Sequence, residues 1–336
     1  MTSPLITNLY TADPSAHVFD GRVYIYPSHD RETDIAFNDN GDQYDMADYH
    51  VYSTSSLDGP PYDDVVDHGV VLRTEDVPWV SKQLWAPDAA RGKDGKYYLY
   101  FPARDRKGVF RIGVAVGDRP EGPFQPDPDP IPGSFSIDPA SFVDDGGEAY
   151  LYFGGLWGGQ LQCYQRGHGD ADFDASLLGP HEPSGAGQRA LFPKVGRLGT
   201  DMRSFADGAN GVRDLVILAP ETGAPIAADD HDRRFFEAAW MHKRDGTYYF
   251  SYSTGDTHYI VYATADSPLG PFTYAGRILE PVLGWTTHHS IVEFQGRWWL
   301  FHHDCELSNG VDHLRSVKVR EIFYDGEGRI TTEKPE

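Results

Sequence analysis

The segment DGRVYIY, residues 20–26, decides the fold because its pattern occurs five times along the chain. It begins with an Asp-Gly turn, after which apolar and aromatic residues alternate as in a half-buried strand. The other copies are DGKYYLY (94–100), GGEAYLY (146–152), DGTYYFS (245–251) and QGRWWLF (295–301). In every copy an aromatic residue follows the glycine by three positions and an apolar residue follows it by four, so one strand register is kept.

A further strand follows several copies. FRIGVAVGDRPEGPF (110–124) and HYIVYATADSPLGPF (258–272) share an alternating strand and a closing Gly-Pro-Phe, and YHVYSTSSLDGPPY (49–62) is a looser version. The repeated unit is therefore most of a four-stranded antiparallel blade. Five such units predict an all-β fold, a five-bladed β-propeller, formed as one domain by residues 1–336.

The copies are unevenly spaced, and the extra length falls in two segments. Residues 27–48 and residues 165–235 are rich in Gly, Pro and acidic side chains, which predicts long excursions over one face. A linker between two domains is the alternative interpretation of 165–235. A propeller closed by blades on both sides of this segment accounts better for the later copies.

The charge and composition exclude several classes of partner. The net charge of −22 would repel nucleic-acid phosphates and anionic lipid, so a neutral substrate is expected and neither nucleic acid nor a membrane is. The N-terminal sequence MTSPLITNLYTADPS is not typical of an export signal, which predicts a cytoplasmic protein, with a processed secreted form as the alternative. Cys163 and Cys305 could form a disulfide, but two buried thiols are favoured. No pattern predicts an oligomeric state.

A polar residue stands seven to nine positions before the glycine of every copy: Asp13, Asp88, Asp138, Glu237 and His288. Taken singly, these residues have ordinary explanations such as Asp-Pro turns, satisfied backbone amides or core histidines. The first strand of each propeller blade lines the central axis, so equivalent positions converge on one cavity. Several carboxylates directed at one cavity are costly to bury without a function.

Such a set of acids suits glycoside hydrolysis. One carboxyl group protonates the leaving oxygen, and a second attacks the sugar or activates water. A third acid nearby can orient the proton donor and raise its pKa by repulsion between like charges.

Five segments, in order, resemble glycoside hydrolase family 43, whose members are five-bladed propellers acting mainly on xylan and arabinan. They are ADPSAHVFDGRVYIYPSHD, LWAPDAARGKDGKYYLYF, IDPASFVDDGGEAYLYFGG, FFEAAWMHKRDGTYYFSYS and THHSIVEFQGRWWLFHHD followed by HLRSV. The resemblance implies that Asp13 is the general base, that Asp138 tunes and orients, and that Glu237 is the general acid. It also implies inversion at the anomeric carbon, which needs room for a water between base and sugar.

The resemblance implies roles for two further residues. His288 aligns with a family histidine near the propeller centre, often beside calcium or a water network, so it is a predicted substrate-binding and metal-binding residue. Arg315 in HLRSV aligns with an arginine that binds sugar at the innermost subsite. A structural calcium is therefore expected, although the acidic stretch NDNGDQYD resembles a calcium loop only in composition.

Apolar residues near the acids are predicted to form the floor under the sugar ring. Trp85, three residues before Asp88, is the first candidate, and Ile137, directly before Asp138, stands where some relatives have an aromatic residue. Weaker aromatic candidates are Phe37, Trp79, Trp157, Phe235 and Phe236. Packing between blades is the alternative role for each of them.

The expected activity is that of an inverting exo-acting β-xylosidase that releases xylose from xylo-oligosaccharides. An α-L-arabinofuranosidase activity on arabino-oligosaccharides is the alternative or a second activity. A non-catalytic carbohydrate-binding propeller would not need all three acids. A retaining, invertase-like propeller is disfavoured because TADPS (11–15) lacks the Asn-Asp-Pro-Asn nucleophile motif, and a WD-type protein-binding propeller because its signatures are missing.

Overall fold

The structure is a computed structural model and describes residues 3–165, 167 and 169–334. Within these residues the strands form five sheets. The first sheet contains β1 (Tyr10–Phe19), β2 (Arg22–Asp30), β3 (Asp48–Thr54) and β4 (Val66–Arg73). The second contains β5 (Val80–Lys82), β6 (Asp88–Arg91), β7 (Tyr97–Asp105), β8 (Phe110–Gly117) and β9 (Gln125–Pro126).

The remaining sheets complete the ring. The third contains β10 (Ala140–Val143), β11 (Ala149–Phe153), β12 (Lys194–Arg197) and β13 (Arg213–Asp214). The fourth contains β14 (Ile217–Leu218), β15 (Glu237–Arg244), β16 (Thr247–Ser253), β17 (Ile260–Ala265) and β18 (Phe272–Leu279). The fifth contains β19 (His289–Phe294), β20 (Arg297–Asp304), β21 (Ser316–Tyr324) and β22 (Ile330–Thr331).

Helical structure among the described residues is limited to short 3₁₀ helices. These are Thr74–Asp76, Trp157–Gly159, Leu161–Tyr164, Asp170–Asp172, Ala175–Leu177 and Ala209–Gly211. No helix within 3–165, 167 and 169–334 has the length and apolar character that a bilayer crossing requires. Cys163 and Cys305 are both buried free thiols, as the sequence favoured.

The prediction of a five-bladed β-propeller is confirmed. The five copies of the repeat form β2, β7, β11, β16 and β20, the second strand of each blade, and each pairs antiparallel with the strand before it. The innermost strands are β1, β6, β10, β15 and β19. The ring closes between the last and first blades, where Leu5 N–H donates to the carbonyl of Val317 at 2.7 Å and Thr11 N–H to that of Arg315 at 2.9 Å.

In the first three copies, the tyrosine that ends the repeat joins neighbouring blades. Tyr26, Tyr100 and Tyr152 close the first three copies and are fully buried between sheets. Each hydroxyl donates a hydrogen bond of 2.7 to 2.8 Å to a backbone carbonyl of the following blade, on Pro120, Met202 and Pro268 respectively. A buried tyrosine at this position therefore supplies apolar area and satisfies its own polar atom.

One sequence expectation needs correction. Residues 165–235 are not only an excursion, because they contain β12 and β13, the outer strands of the third blade. They also contain β14, which pairs parallel to β18 at the edge of the fourth blade. These strands have only two to four residues, too few to produce a readable alternation of apolar and polar side chains.

Candidate active site

A pocket opens over the end of the axis at which the inner strands begin. Asp13, Asp138, Glu237, His288 and Arg315 all line it, although they are as much as 302 residues apart in sequence. The structure thus brings together the three predicted acids, the predicted histidine and the predicted arginine. The reason is topological, since each acid lies at or near the beginning of an inner strand.

Local backbone geometry turns the acids out of the regular strand alternation. Asp13 has φ of 49° and Asp138 has φ of 55°, both in the left-handed region that aspartate tolerates better than most residues. The pairing of β1 with β2 shifts between Ala12 and Ser15, and Ala238 at φ 63° lies in a similar shift in β15. Bulges of this kind commonly redirect a side chain next to an active site.

Asp13 is buried and held as a carboxylate. Arg315 Nη1 donates to Oδ1 at 3.0 Å, and Ser28 Oγ donates to Oδ2 at 2.7 Å. Burial raises the pKa of Asp13, but the positive charge of Arg315, with smaller effects of His303, His288 and the hydrogen bond from Ser28, outweighs it and lowers the pKa to about 2. Asp13 is therefore ionised at neutral pH and can accept a proton.

The pKa values of Asp138 and Glu237, unlike that of Asp13, are raised. Burial, with the charge of Asp13, raises the pKa of Asp138 well above its usual range. Burial raises the pKa of Glu237 as well, and the negative charges of Asp138 and Asp13 add to this effect. Glu237 keeps part of its surface open to the pocket, so a proton held there can reach a substrate.

Arg315 is fixed by a carboxylate that the sequence interpretation missed. Asp30 accepts from Nε and Nη2 of Arg315 at 2.8 and 2.7 Å, and the backbone N–H of Arg315 donates to the same carboxylate. Nη1 is shared between Asp13 and Thr286 Oγ1. These bonds occupy four of the five side-chain N–H groups, so the arginine acts mainly as a fixed positive charge beside Asp13.

A second missed residue, His303, supports Asp13 from the backbone side. The backbone N–H of Asp13 donates to Nδ1 of His303 at 3.0 Å, which leaves the ring proton on Nε2, where it faces the carbonyl of Thr286 at 3.0 Å. Burial and the positive charge of Arg315 lower the pKa of His303 to about 3. His303 is therefore neutral, and Arg315 is the cation that keeps Asp13 ionised.

His288 lies between two of the acids. Its Nδ1 is 3.7 Å from Oδ1 of Asp13 and 3.9 Å from Oδ2 of Asp138. Burial lowers the pKa of His288 to about 4, against the pull of Asp13, so the ring is neutral at neutral pH. At these distances it can share water molecules with both carboxyl groups.

The predicted floor residues Trp85 and Ile137 form one apolar wall, together with Tyr44 and Met46. Trp85 Nε1 donates to the carbonyl of Tyr44 at 2.8 Å, and the two rings meet edge to face. Gly41 makes room for this ring, since a Cβ there would lie 2.6 Å from Cη2 of Trp85. Tyr44 was missed because it lies in the irregular segment between β2 and β3.

A second part of the pocket lining is also aromatic. Trp157, Phe236 and Trp285 lie with ring centroids 5.3 to 5.6 Å apart, and all three line the pocket. Trp157 and Phe236 were among the weaker sequence candidates, and Trp285 was missed. Phe37 stands at the rim with 53% of its surface exposed. Trp79 and Phe235 are packing residues instead, against Phe101 and Tyr252 respectively.

Asp88 has a structural role, as its sequence interpretation favoured. It is fully buried and accepts from Ser141 N–H and Oγ at 2.5 and 2.6 Å. His17 Nε2 lies 2.6 Å from its other oxygen. Asp88 therefore links the inner strands of three blades below the pocket.

The model of the glycosyl hydrolases family 43 matches residues 1–168 and 213–330. This chain belongs to glycosyl hydrolases family 43. It is 77% identical over 334 residues to a xylosidase/arabinosidase 43A of Humicola insolens, covering 99% of this chain and 100% of the relative. It is 55% identical to a xylosidase/arabinosidase of Bacteroides ovatus, covering 98% of this chain and 96% of the relative.

Solved structures of family 43 enzymes have the same fold. A β-xylosidase/α-arabinofuranosidase from a compost microbial metagenome, in complex with xylotriose and in a calcium-free form, superposes with a TM-score of 0.92 at 57% identity, over 99% of this chain and 97% of that one. A family 43 enzyme from Xanthomonas citri complexed with xylotriose superposes with a TM-score of 0.89 at 53% identity, over 99% of this chain and 93% of that one. This family 43 chain is thus a glycoside hydrolase.

Proposed function

We propose that this glycoside hydrolase is an inverting, exo-acting β-xylosidase that releases xylose from xylo-oligosaccharides and has α-L-arabinofuranosidase as a second activity. The observation that carries the proposal is the opposite protonation of two acids in one pocket. Arg315 keeps Asp13 ionised, while burial and the charges of Asp138 and Asp13 favour protonated Glu237. Inverting glycosidases need one base and one acid of this kind.

In the proposed reaction, Glu237 donates its proton to the glycosidic oxygen as the bond to the anomeric carbon breaks. Asp13 accepts a proton from the water that attacks this carbon from the opposite face. Asp138 accepts the backbone N–H of Ala238 at 2.8 Å, which orients the segment that carries Glu237. After product release, a proton passes from Asp13 to solvent and Glu237 is protonated again.

Exo action is supported by the walls of the pocket. Residues 31–47, which we call the pocket loop, connect β2 to β3 and contribute Phe37, Gly41 and Tyr44 to the lining. The loop meets the turn of the third blade, since a Cβ on Gly158 would lie 2.9 Å from the carbonyl oxygen of Asn40. A contact this close shuts one side of the pocket, which favours binding a chain end over binding a long chain across an open cleft.

The second activity is supported by the relatives. The Humicola insolens and Bacteroides ovatus proteins are both named xylosidase/arabinosidase. Xylopyranosyl and arabinofuranosyl groups offer similar hydroxyls to the polar base of the pocket. The apolar walls containing Trp85 and Trp157 can accept either ring, because such contacts have little directional preference.

The residues around His288 do not provide the ligands that calcium prefers. The sequence predicts a structural calcium at His288, and one similar structure is of a calcium-free form. Calcium takes six to eight oxygen ligands. Among the described residues, His288 is not part of a cluster of three side chains that could hold a metal, and the oxygens of Asp13 are already bound by Arg315 and Ser28. This donor set fits calcium poorly, so no step is assigned to it.

A paired assay on 4-nitrophenyl β-xyloside and 4-nitrophenyl α-L-arabinofuranoside tests the proposal. We expect both substrates to be cleaved, and we expect Asp13→Asn to lose at least about 100-fold in kcat on each. A matched control is Asp118→Asn, which removes an exposed carboxylate far from the pocket. Full activity of Asp13→Asn on both substrates would overturn the assignment of the base.

A further inference from the structure

A second group of possible ligands lies outside the catalytic pocket, in the first blade. His29 is the next-to-last residue of β2, and Asp48 and His50 are the first and third residues of β3. One possible ligand atom of each residue, a ring nitrogen or a carboxylate oxygen, lies within 4.8 Å of those of the other two. His29 Nδ1 is 2.6 Å from Oδ1 of Asp48, and the His29 and His50 ring centroids are 5.2 Å apart.

The strand register explains why these side chains face one another. Backbone pairing between β2 and β3 runs from Val23 with Thr54 to Ile25 with Tyr52. Continued in the same register, it would place His29 opposite Asp48 and Pro27 opposite His50. Proline cannot donate to the ladder, so side chains rather than backbone bonds connect the strands here. Side chains alternate along a strand, so His29, Asp48 and His50 share one sheet face, opposite to Ser28 and Asp30.

One ligand is already oriented as metal-binding histidines usually are. Asp67 in β4 lies 2.9 Å from Nδ1 of His50, and it also accepts Asn8 Nδ2 and the backbone N–H of Gly69. A carboxylate on one ring nitrogen fixes the tautomer and leaves Nε2 free as a ligand. The contact between Asp67 and His50 is a separate observation from the closeness of the three side chains, and it also indicates metal binding.

We propose that His29, Asp48 and His50 bind one divalent transition-metal ion of the zinc class, with Asp67 holding His50 in position. Two imidazoles and one carboxylate suit zinc better than calcium or magnesium, which prefer oxygen ligands. The side chains of His29, Asp48 and His50 are 20%, 24% and 14% exposed, so an ion can enter and a water can complete the coordination. Ligands about 2.1 Å from zinc would separate His29 and Asp48 to roughly 3.3 Å.

The ion would tie the two ends of the pocket loop together. Residues 31–47 leave β2 two residues after His29 and rejoin the sheet directly before Asp48. This loop carries Tyr44 and Phe37, which line the substrate pocket. The metal site therefore lies at the base of a substrate-binding loop. A bound ion restrains that loop without contact to the reacting atoms.

Calorimetric titration of the chelator-treated full-length protein with zinc chloride tests the site. We expect one bound equivalent, binding at least 100-fold weaker in both His29→Ala and His50→Ala, and binding about 10- to 100-fold weaker in Asp67→Asn. His68→Ala is the matched control, because His68 lies in β4 of the same blade but hydrogen-bonds Ser53 instead. His288→Ala tests whether the zinc sits on the axis. We expect zinc binding to be unchanged in His68→Ala and in His288→Ala.

Two outcomes would overturn the site: no zinc bound by the parent protein, or unchanged binding in both His29→Ala and His50→Ala. Substitution with cobalt gives a check on the parent protein alone, since nitrogen ligation in a four- or five-coordinate site produces visible absorption bands. Hydrogen exchange then tests whether the bound metal restrains the pocket loop. Zinc should slow exchange of amides in residues 31–47 in the parent protein but not in His50→Ala, and equal exchange with and without zinc would overturn it.

Discussion

Asp138 accepts a 2.8 Å hydrogen bond from the backbone N–H of Ala238, the residue that directly follows Glu237. Asp138 belongs to the third blade and Ala238 to the fourth, so the bond crosses between blades. It fixes the backbone that carries the proposed acid and holds a second carboxyl group near it. Asp138 thus both positions Glu237 and raises its pKa.

Removing the proton of Glu237 should affect substrates unequally. In Glu237→Gln we expect kcat on xylobiose to fall by about 10² to 10⁴, because a sugar leaving group needs protonation. The loss on 4-nitrophenyl xyloside should be at least tenfold smaller, because nitrophenolate leaves without help. Steady-state kinetics on the two substrates measures the difference. Equal losses on both would show that Glu237 is not the proton donor.

The charge of Asp138 should set the alkaline limit of activity. Activity needs ionised Asp13, with a pKa of about 2, and protonated Glu237, whose pKa is raised. Activity should therefore fall as the pH rises through the pKa of Glu237. Asp138→Asn removes the carboxyl group whose charge, once Asp138 is ionised, raises the pKa of Glu237, so the alkaline limb of kcat/KM should move to lower pH. The surface variant Asp118→Asn should leave the limb in place, and an unmoved limb in Asp138→Asn would contradict the coupling.

The buried pair of Asp30 and Arg315 should contribute to stability. Asp30→Asn removes one of the two carboxylates that Arg315 contacts and leaves Asp13 as the other, and loss of one partner of a buried ion pair typically costs about 3 to 5 kcal/mol in the free energy of unfolding. Asp118→Asn is the comparison, because its ion pair with Lys96 is exposed and typically contributes about 1 kcal/mol or less. Urea denaturation measures both. A loss in Asp30→Asn no larger than in the surface variant would exclude the pair as a main support of the site.

A histidine far from the pocket should make the fold acid-sensitive. Burial lowers the pKa of His242 to about 3, from 6.5 in the unfolded chain. Between these values the unfolded state binds a proton that the native state does not, so the free energy of unfolding falls as the pH decreases. The contribution from pH 7 to pH 4 is about 3 kcal/mol.

The variant His242→Gln should therefore lose less stability than the parent protein over this pH interval, as measured by urea denaturation at several pH values. His231→Gln is the control, because His231 is 39% exposed at the surface. If His242→Gln and the parent protein lost equal stability, His242 would not be neutral in the native state.

The sequence repeat predicted the blades and the convergence of the three acids on one pocket. The glycines align five strands, and a propeller then directs equivalent positions to one axis. Ser28 was within reach of the same reasoning, because the register of the Asp20–Gly21 hairpin, continued beyond Ser15 and Tyr26, would place residue 28 opposite residue 13, although the register shift pairs Ser28 with Ala12 in the structure. That register would have indicated its hydrogen bond to Asp13.

Contacts between distant blades were not predictable in the same way. Asp30 and Arg315 are 285 residues apart, and Arg315 lies just before β21 in a different sheet from Asp30, so no strand register relates them. Tyr44 and Trp285 reach the pocket from irregular segments, whose paths depend on the packing of the complete ring. The outer strands β12, β13 and β14 are specified by their neighbours in the sheets more than by their own alternation.

The stereochemistry of the first product tests the central claim most directly. If Asp13 activates water and Glu237 protonates the leaving group in a single displacement, proton NMR during the first minutes of hydrolysis of a β-xyloside should show α-xylose appearing before mutarotation. β-Xylose as the first product would require a covalent intermediate and would contradict the assignment of Asp13 as a base.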